Sequence, residues 1–475
     1  MTNSGARPLA LITIVMLVSG CAPTKKYRPS PISPPDTAAK LVSRHLSDPG
    51  LREYLERNLG AAMSLRLLEA WDLKTLTLAA FYFSANLEAE RARVARAEAA
   101  VITAGARPNP SLSVAPGIPN PYLFELDFAV PIETHGKRAY RIESAKNLSD
   151  AARFNLANVA WSVRSAVRSA MLGHLVAVQD LDLLCSQEKL RSEQVQLLER
   201  QLAVGEIARP LVDSARIGLD AVRLAIHTAQ GRVEETRASL AAAIGAPVSG
   251  LDGAEFSWPD FEAPPTAESL SPARIQREAV LNRLDVRRAL AEYAAAESNL
   301  KLEIARQYPD FRIGPGYRYE ESDNFFTVGF SAVLPIFNRN QGPIAEAEAR
   351  RKEAASNFLA TQAQVIARSE TALARYEAAL KELAEVQQTL KETQARQEQM
   401  SRRAVEVGEA DRLALNGVLL QGAVLATARL SALARAQAAL GALEDAVQRP
   451  LQPGDLGPLT PQSPALNEPP KGAER

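Results

Sequence analysis

The side chains able to do covalent or metal chemistry in this 475-residue chain are few: Cys21 and Cys185, and histidines at 45, 135, 174 and 227. Cys21 closes the run Val18-Ser19-Gly20-Cys21, which matches a bacterial lipobox, where the thiol accepts a lipid and becomes the first residue of the mature chain. Arg7 and the apolar stretch Leu9 to Val18 precede it, so residues 1–20 read as a signal peptide rather than a spanning helix. An ordinary secretory signal that happens to contain a cysteine is the competing reading. Ala22 after the cysteine, rather than Asp, fits delivery to the outer membrane. Cys185 is then the remaining thiol, with no partner for an intramolecular disulfide, and reads as a packing residue. The histidines fall in four separate segments without metal-ligand spacing, so no metal site is expected, and His135 beside Gly136 reads as a solvated turn. No serine elbow, Walker loop or dinucleotide fingerprint is present, which argues against an enzyme and against a cofactor. Fifty-five basic and 55 acidic residues balance, leaving −1 once the signal is removed, and no basic patch invites nucleic acid.

The elements that must position any function occur twice. Pro110, Pro116-Gly117, Val130-Pro131-Ile132, Val204-Gly205-Glu206 with Arg209, and Pro247 are matched by Pro309, Pro315-Gly316, Leu334-Pro335-Ile336, Val407-Gly408-Glu409 with Arg412, and Pro450. The offset stays between 199 and 204, which marks a duplicated structural unit. Proline is absent from Ile132 to Arg209 and from Ile344 to Arg449, because proline inside a helix removes a hydrogen bond and clashes with the preceding turn. The stretches Lys137 to Ala203 and Pro343 to Val407 therefore read as rods roughly 100 Å long. In the second, Leu373, Tyr376, Leu380, Leu383, Gln387, Leu390, Gln394 and Gln397 recur at spacings of three and four, a coiled-coil seam with polar interruptions. Gly205 and Gly408 mark the tips of two helical hairpins.

The segments ahead of the rods have the other period. Leu112, Val114, Pro116 and Ile118; Tyr122, Phe124, Leu126, Phe128 and Val130; Phe311, Ile313, Tyr317 and Tyr319; and Phe326, Val328, Phe330, Ala332 and Leu334 each alternate with small or charged residues. Strands of about 9 to 11 residues with one apolar and one polar face fit a membrane barrel with lipid outside and water inside. A β-sandwich is the competing reading, and the charged opposite face and the rods argue against it. Glu125, Asp127, Arg312, Arg318 and Glu320 then line the lumen. Four strands cannot close a barrel, and an open edge cannot sit in hydrocarbon, so the barrel must be shared between chains; two, three or four copies satisfy the residues equally.

Together these residues resemble the TolC-like outer-membrane efflux family, over nearly the whole mature chain, and within it the cobalt-zinc-cadmium resistance branch. The resemblance is carried by Trp71-Asp72-Leu73 with Leu76-Thr77-Leu78-Ala79-Ala80, by Pro131-Ile132-Glu133-Thr134-His135-Gly136-Lys137-Arg138, by Leu334-Pro335-Ile336-Phe337-Asn338-Arg339-Asn340-Gln341-Gly342, and by Val407-Gly408-Glu409-Ala410-Asp411-Arg412-Leu413. It implies a mostly α fold with a membrane β-barrel part: a homotrimer sharing a twelve-stranded barrel, with coiled-coil hairpins forming a periplasmic tunnel. The expected order is a signal peptide (1–20), a lipid-anchored Pro-rich segment (21–70) whose residues 22–40 form a non-helical tether, a first repeat (71–247), a linker (248–272), a second repeat (273–450) with its own opening helix at Leu284, and a disordered tail (451–475).

The function so implied is the passive exit duct of a tripartite efflux system in the outer membrane of a Gram-negative bacterium. Its partners are a periplasmic adaptor, an inner-membrane pump of the RND type that supplies the energy, and outer-membrane lipid. Heavy-metal cations are the expected cargo. A multidrug or type I secretion duct of the same fold, or a lipid-anchored coiled-coil spacer without a pore, are the alternatives; a spacer has no use for a lipid-facing sheet. The tips Val204, Gly205, Glu206, Val407, Gly408 and Glu409 are expected to dock the adaptor. The family's aspartates just past the tip glycine are missing here, where Leu211, Ala414, Ser214 and Gly417 stand, so the gate candidates become Arg209 and Asp213 in the first repeat and Asp411 and Arg412 in the second.

Overall fold

The computed structural model describes residues 25–59, 70–117, 123–266, 270–452, 456–457 and 459–467. Cys21 and the signal peptide lie outside them, as do Ile118 and Tyr122. The described residues up to Ser43 belong to a unit of their own, containing helix α1 (Pro34–Val42). This corrects the expectation of a non-helical tether through residue 40. Pro34 and Pro35 occupy the first turn, where a missing N–H breaks no helical bond and a fixed φ favours the helix.

The second unit, from Arg44 onward, opens with α2 (Pro49–Leu59) and then α3 (Leu73–Phe83) and α4 (Ala85–Ala104). Asp72 and Thr75 form a reciprocal capping box at the start of α3, and the Ser84 hydroxyl accepts the Leu87 amide at the start of α4, so two short polar residues set both helix starts. Strands β1 (Ser111–Pro116) and β2 (Phe124–Ile132) lead into α5 (Lys137–Ala203) and its return helix α6 (Arg209–Ile244). The second repeat follows the same plan: α7 (Pro272–Asn282), α8 (Leu284–Ala305), β3 (Phe311–Glu320), β4 (Asp323–Ala332), α9 (Gln341–Thr389), α10 (Ala395–Glu406) and α11 (Arg412–Val447).

The rod α5 is unbroken over 67 residues. Its counterpart is not, which corrects the expectation of a second continuous rod. A π-helical turn at Leu390–Gln394 separates α9 from α10, buries Gln394, and lets its amide donate to the Val418 carbonyl at 2.8 Å. Gly422 makes room, since a Cβ there would come within 2.9 Å of the Gln394 amide nitrogen. The seam itself is in place: Leu373, Tyr376 and Leu383 are buried against α11 or the linker. Helix α11 is long and apolar enough to cross a membrane by length and composition, and its C-terminal half buries Leu430, Leu433, Ala436, Leu440 and Leu443 against other helices.

The main core joins Leu51 and Tyr54 of α2, Leu76, Leu78 and Phe81 of α3, Trp161 and Met171 of α5, and Leu240 and Ile244 of α6. Leu459 and Leu466 are buried in the same core, the Tyr54 hydroxyl donates to the Ala465 carbonyl at 2.7 Å, and Arg91 donates to that of Leu466. The expectation of disorder throughout 451–475 is thus corrected for residues 459–467, which include the short helix α12 (Pro464–Asn467). Two buried leucines and three hydrogen bonds outweigh the proline-rich composition there.

The four strands form one antiparallel sheet in the order β1-β2-β3-β4. The duplication extends to the register. Leu112 opposite Phe128 becomes Phe311 opposite Ala332 on shifting the first member by 199 and the second by 204. At the β2–β3 contact the backbones come so close that a Cβ on Gly314 would fall 1.6 Å from the Phe128 carbonyl oxygen, so no larger residue fits. Strand β4 stops at Ala332, so Leu334, expected within it, lies outside.

A candidate conduit: sheet, junction and tips

Pairing across all four strands sorts the side chains onto two faces. Leu112, Val114, Phe124, Leu126, Phe128, Val130, Ile313, Tyr317, Phe326, Val328 and Phe330 share one. Phe326, Val328 and Phe330 are 83, 78 and 66% exposed, an apolar surface with no protein over it. Glu125, Asp127, Arg312, Arg318 and Glu320 all lie on the other face, as expected. Glu125 stands opposite Arg318, which also pairs with Glu320 at 2.8 Å, and Asp127 stands opposite Gly316. A Cβ on Gly316 would lie 2.5 Å from the Thr327 hydroxyl and 2.6 Å from Asp127 Oδ1, so glycine leaves space for both polar groups. Among the described residues, no strand lies beside the outer edges of β1 and β4.

Between sheet and rod, the chain turns through His135 and Gly136, both at positive φ (53° and 74°). Lys137 Nζ, nearly buried, donates to Asp310 Oδ1 and to the Tyr308 carbonyl, each at 2.7 Å. The Thr134 amide donates to the same Asp310 oxygen at 2.9 Å. Burial pushes the Asp310 carboxyl up, but the bonds from Lys137 and Thr134 outweigh it and hold the group below the usual carboxylate range. Arg141 pairs with Glu133 beside this joint. His135 is the exposed turn residue expected, and it also stacks on Tyr308 at 3.7 Å between ring centroids and 8° between planes. This joint, which links the first rod to the base of β3, was missed in the sequence because its partners lie about 170 residues apart; a lysine and an aspartate each next to a strand end were the only signal. No group of three or more His, Cys, Asp or Glu able to hold a metal occurs among the described residues.

At the other end of the rods, Gly205 and Gly408 both have φ +80°. The Glu206 amide donates to the Gln201 carbonyl at 2.9 Å, and the Glu409 amide to that of Ala404 at 2.8 Å, so each rod ends in the same glycine-dependent C-cap. The tips project freely: Val204 and Val407 are 71 and 69% exposed, Glu206 and Glu409 are exposed, and a Cβ on either glycine would meet nothing within 4 Å. The gate candidates serve local roles in a single chain. Arg209 lies 3.8 Å from Asp213 on its own helix, and the Asp411 carboxylate caps α11 by accepting the Ala414 amide at 2.7 Å. Arg412 borders a cleft of about 560 Å³ shared with Glu188, Glu193 and Arg200 of α5, where the two hairpins meet.

The duplicated strand-and-hairpin unit is matched twice by one family model, described as outer membrane efflux protein, over residues 83–246 and 275–448. The chain belongs to that family. The family places it in the outer membrane. Among characterised relatives, it is 26% identical over 281 residues to the cobalt-zinc-cadmium resistance protein CzcC of Cupriavidus metallidurans, covering 58% of this chain and 66% of the relative. It is 22% identical over 233 residues to the probable outer membrane lipoprotein SilC of Salmonella typhimurium, covering 45 and 49%. The pyoverdine export outer membrane protein OpmQ of Pseudomonas aeruginosa is 23% identical over 367 residues, covering 70 and 73%. The chain thus spans just under two thirds of CzcC and about half of SilC. Among solved structures, the outer-membrane channel OprN superposes with a TM-score of 0.62 at 18% identity, over 90% of this chain and 99% of OprN. VceC of Vibrio cholerae gives 0.61 at 18% identity, over 78 and 95%. These likenesses establish that this outer membrane efflux protein shares the fold of those channels.

Proposed function

We propose that this outer membrane efflux protein is the passive exit duct of a tripartite system, working as a homotrimer with a periplasmic adaptor and an RND-type inner-membrane pump. The observation that carries the reading is the four-stranded sheet with an exposed apolar face and two unpaired edges. In hydrocarbon every unpaired backbone group costs several kcal/mol, so such a sheet is stable there only when further copies close it. The charged face formed by Glu125, Asp127, Arg312, Arg318 and Glu320 then turns inward onto water. The tips at Gly205 and Gly408 are the surfaces offered to the adaptor, and Cys21 carries the lipid anchor. Heavy-metal cations are the proposed cargo, supported by the likeness to CzcC; the likeness to OpmQ favours export of a small organic molecule as the second reading.

The test has two arms. Purified mature protein is expected to run in detergent as one closed oligomer and to insert into planar bilayers as a channel. A deletion strain is expected to lose resistance to cobalt, zinc or cadmium while its siderophore export is unchanged. A monomer without conductance under any condition would sink the duct; unchanged metal resistance with lost siderophore export would move the cargo to the second reading.

A further inference from the structure

Four short segments gather where the rods meet the base of the sheet, residues 105–110, 133–141, 303–310 and 333–341, joined by the bonds of Arg138 to Gly105, Thr134 to Asp310 and Asn340 to Glu303. They hold six Lys or Arg and three acidic side chains. Each acid is matched by one cation: Glu133 by Arg141, Glu303 by Arg306 and Asp310 by Lys137. Arg107, Arg138 and Arg339 are left over, all exposed, and among the described residues no carboxylate pairs with them. Arg107 lies four residues before β1, Arg138 six after β2 and Arg339 seven after β4, so all three stand just beyond the apolar face of the sheet. Arg138 donates its Nε to the Gly105 carbonyl at 2.7 Å, two residues from Arg107, which brings two unmatched guanidiniums to the end of α4. We propose that this rim binds the head-group phosphate of an anionic phospholipid in the periplasmic leaflet of the outer membrane, with Arg107 and Arg138 forming one site and Arg339 a second. The assignment rests on the membrane-barrel reading above and adds the lipid chemistry that the lower edge of the barrel selects.

Three observations point to lipid. The arginines are interleaved with apolar side chains left open by the fold: Ile132 is 46%, Tyr308 48%, Ile336 67% and Phe337 98% exposed. A guanidinium among such residues sits where acyl chain gives way to head group, and its planar fork matches two phosphate oxygens. The far end of the sheet carries the opposite charge, with Glu320, Glu321 and Asp323 around Arg318 at the β3–β4 turn. The cationic excess is therefore a property of the rod end and not of the sheet as a whole. Finally, the rim is basic in both repeats. Arg107 and Arg306 follow α4 and α8 at an offset of 199, and His135 and Arg339 precede the left-handed Gly136 and Asn340 at an offset of 204. Each repeat thus places cations at the same height, where they face a ring of head groups.

Purified protein in detergent is titrated with dioleoyl phosphatidylglycerol and, separately, with dioleoyl phosphatidylethanolamine, and bound lipid is counted by native mass spectrometry. Phosphatidylglycerol is expected to bind more tightly. Arg107→Gln, Arg138→Gln and Arg339→Gln together are expected to weaken it by at least about fivefold, the effect of a single basic side chain beside anionic lipid. A control with Lys352→Gln, Lys381→Gln and Lys391→Gln removes the same charge from the second rod and is expected to bind like the wild type. Equal binding of the two lipids by the wild type, or equal losses in the rim and rod variants, overturns the site. Displacement of the lipid by excess inorganic phosphate at matched ionic strength would assign the arginines to free phosphate instead. Arg107→Gln with Arg339→Gln, which keeps the bond from Arg138 to Gly105, reads the same loss if the triple variant does not assemble. Bilayer conductance is recorded in parallel. A conducting rim variant with undiminished lipid binding overturns the lipid site alone, whereas monomeric, non-conducting wild type would overturn the barrel reading on which it rests.

Discussion

Arg164 Nη2 donates to Glu444 Oε2 at 2.9 Å with both side chains fully buried, tying α5 of the first repeat to α11 of the second. Arg168 lies 3.3 Å from the same oxygen, and the other Glu444 oxygen accepts the Leu451 amide at 2.8 Å. The two guanidiniums lie over the Trp161 and Trp258 rings, at 4.6 and 5.0 Å. One carboxylate thus serves two buried cations where the repeats cross. Replacing it leaves both guanidiniums in low dielectric without their shared counter-charge. Glu444→Gln is expected to lower stability by about 3–5 kcal/mol, read as a shift of the denaturant midpoint of the helical signal. A shift under about 1 kcal/mol would mean that the pair contributes little beyond packing.

Acid should loosen the joint at the base of the sheet. The folded state holds Asp310 below its ordinary value, so its contribution is fully present above the unfolded carboxylate pKa of about 4 and is lost as pH falls through the folded value. Asp310→Asn is expected to flatten the stability profile below about pH 4 and to lower stability above it. An unaltered acid limb would show that Lys137 and Thr134 gain nothing from that charge.

His174 titrates in the other window. Burial first, and then the Arg237 charge, hold its imidazole below the ordinary histidine value, and it sits 3.4 Å from the Thr236 hydroxyl and edge-on to Phe256. The unfolded chain therefore binds the extra proton more readily, and stability should fall as pH drops below about 6.5. His174→Gln should remove that slope, measured by thermal melts between pH 7 and pH 5.

The tip glycines are limited by conformation rather than space, since φ is +80° and a Cβ would touch nothing. A β-branched residue there costs about 1–2 kcal/mol and forces the chain reversal to shift. Gly408→Val is expected to abolish export while the oligomer still assembles in the membrane, and Gly408→Asn, which tolerates this φ, to retain export in part. Normal export by the valine variant would remove the tip from the docking surface.

Arg209 and Arg412 offer a test of closure. Each is exposed, and such charges contribute only about 0–1 kcal/mol apiece, so a latch needs several acting together around the axis. Changing both to Gln is expected to raise single-channel conductance without a pump. Closed-level conductance from a folded, oligomeric double variant would exclude these arginines as the latch.

The sequence alone determined what depends on local periodicity and on repetition. Prolines excluded from long tracts fixed α5 at Lys137–Ala203, period-two alternation identified the four strands and their charged face, and a near-constant offset identified two hairpins with glycine tips. These are short-range signals, set by steric exclusion and by which face meets water. The tertiary structure decided what depends on partners far away in the chain. Gln394 opens a π turn because a carbonyl of α11 awaits its amide, and residues 459–467 order because Tyr54 and Arg91 receive them. His135 stacks on Tyr308, Lys137 finds Asp310, and Arg164 and Arg168 share Glu444 across some 280 residues. Composition carries no record of such contacts, because their free energy arises only once the two repeats have packed and water has been excluded from between them.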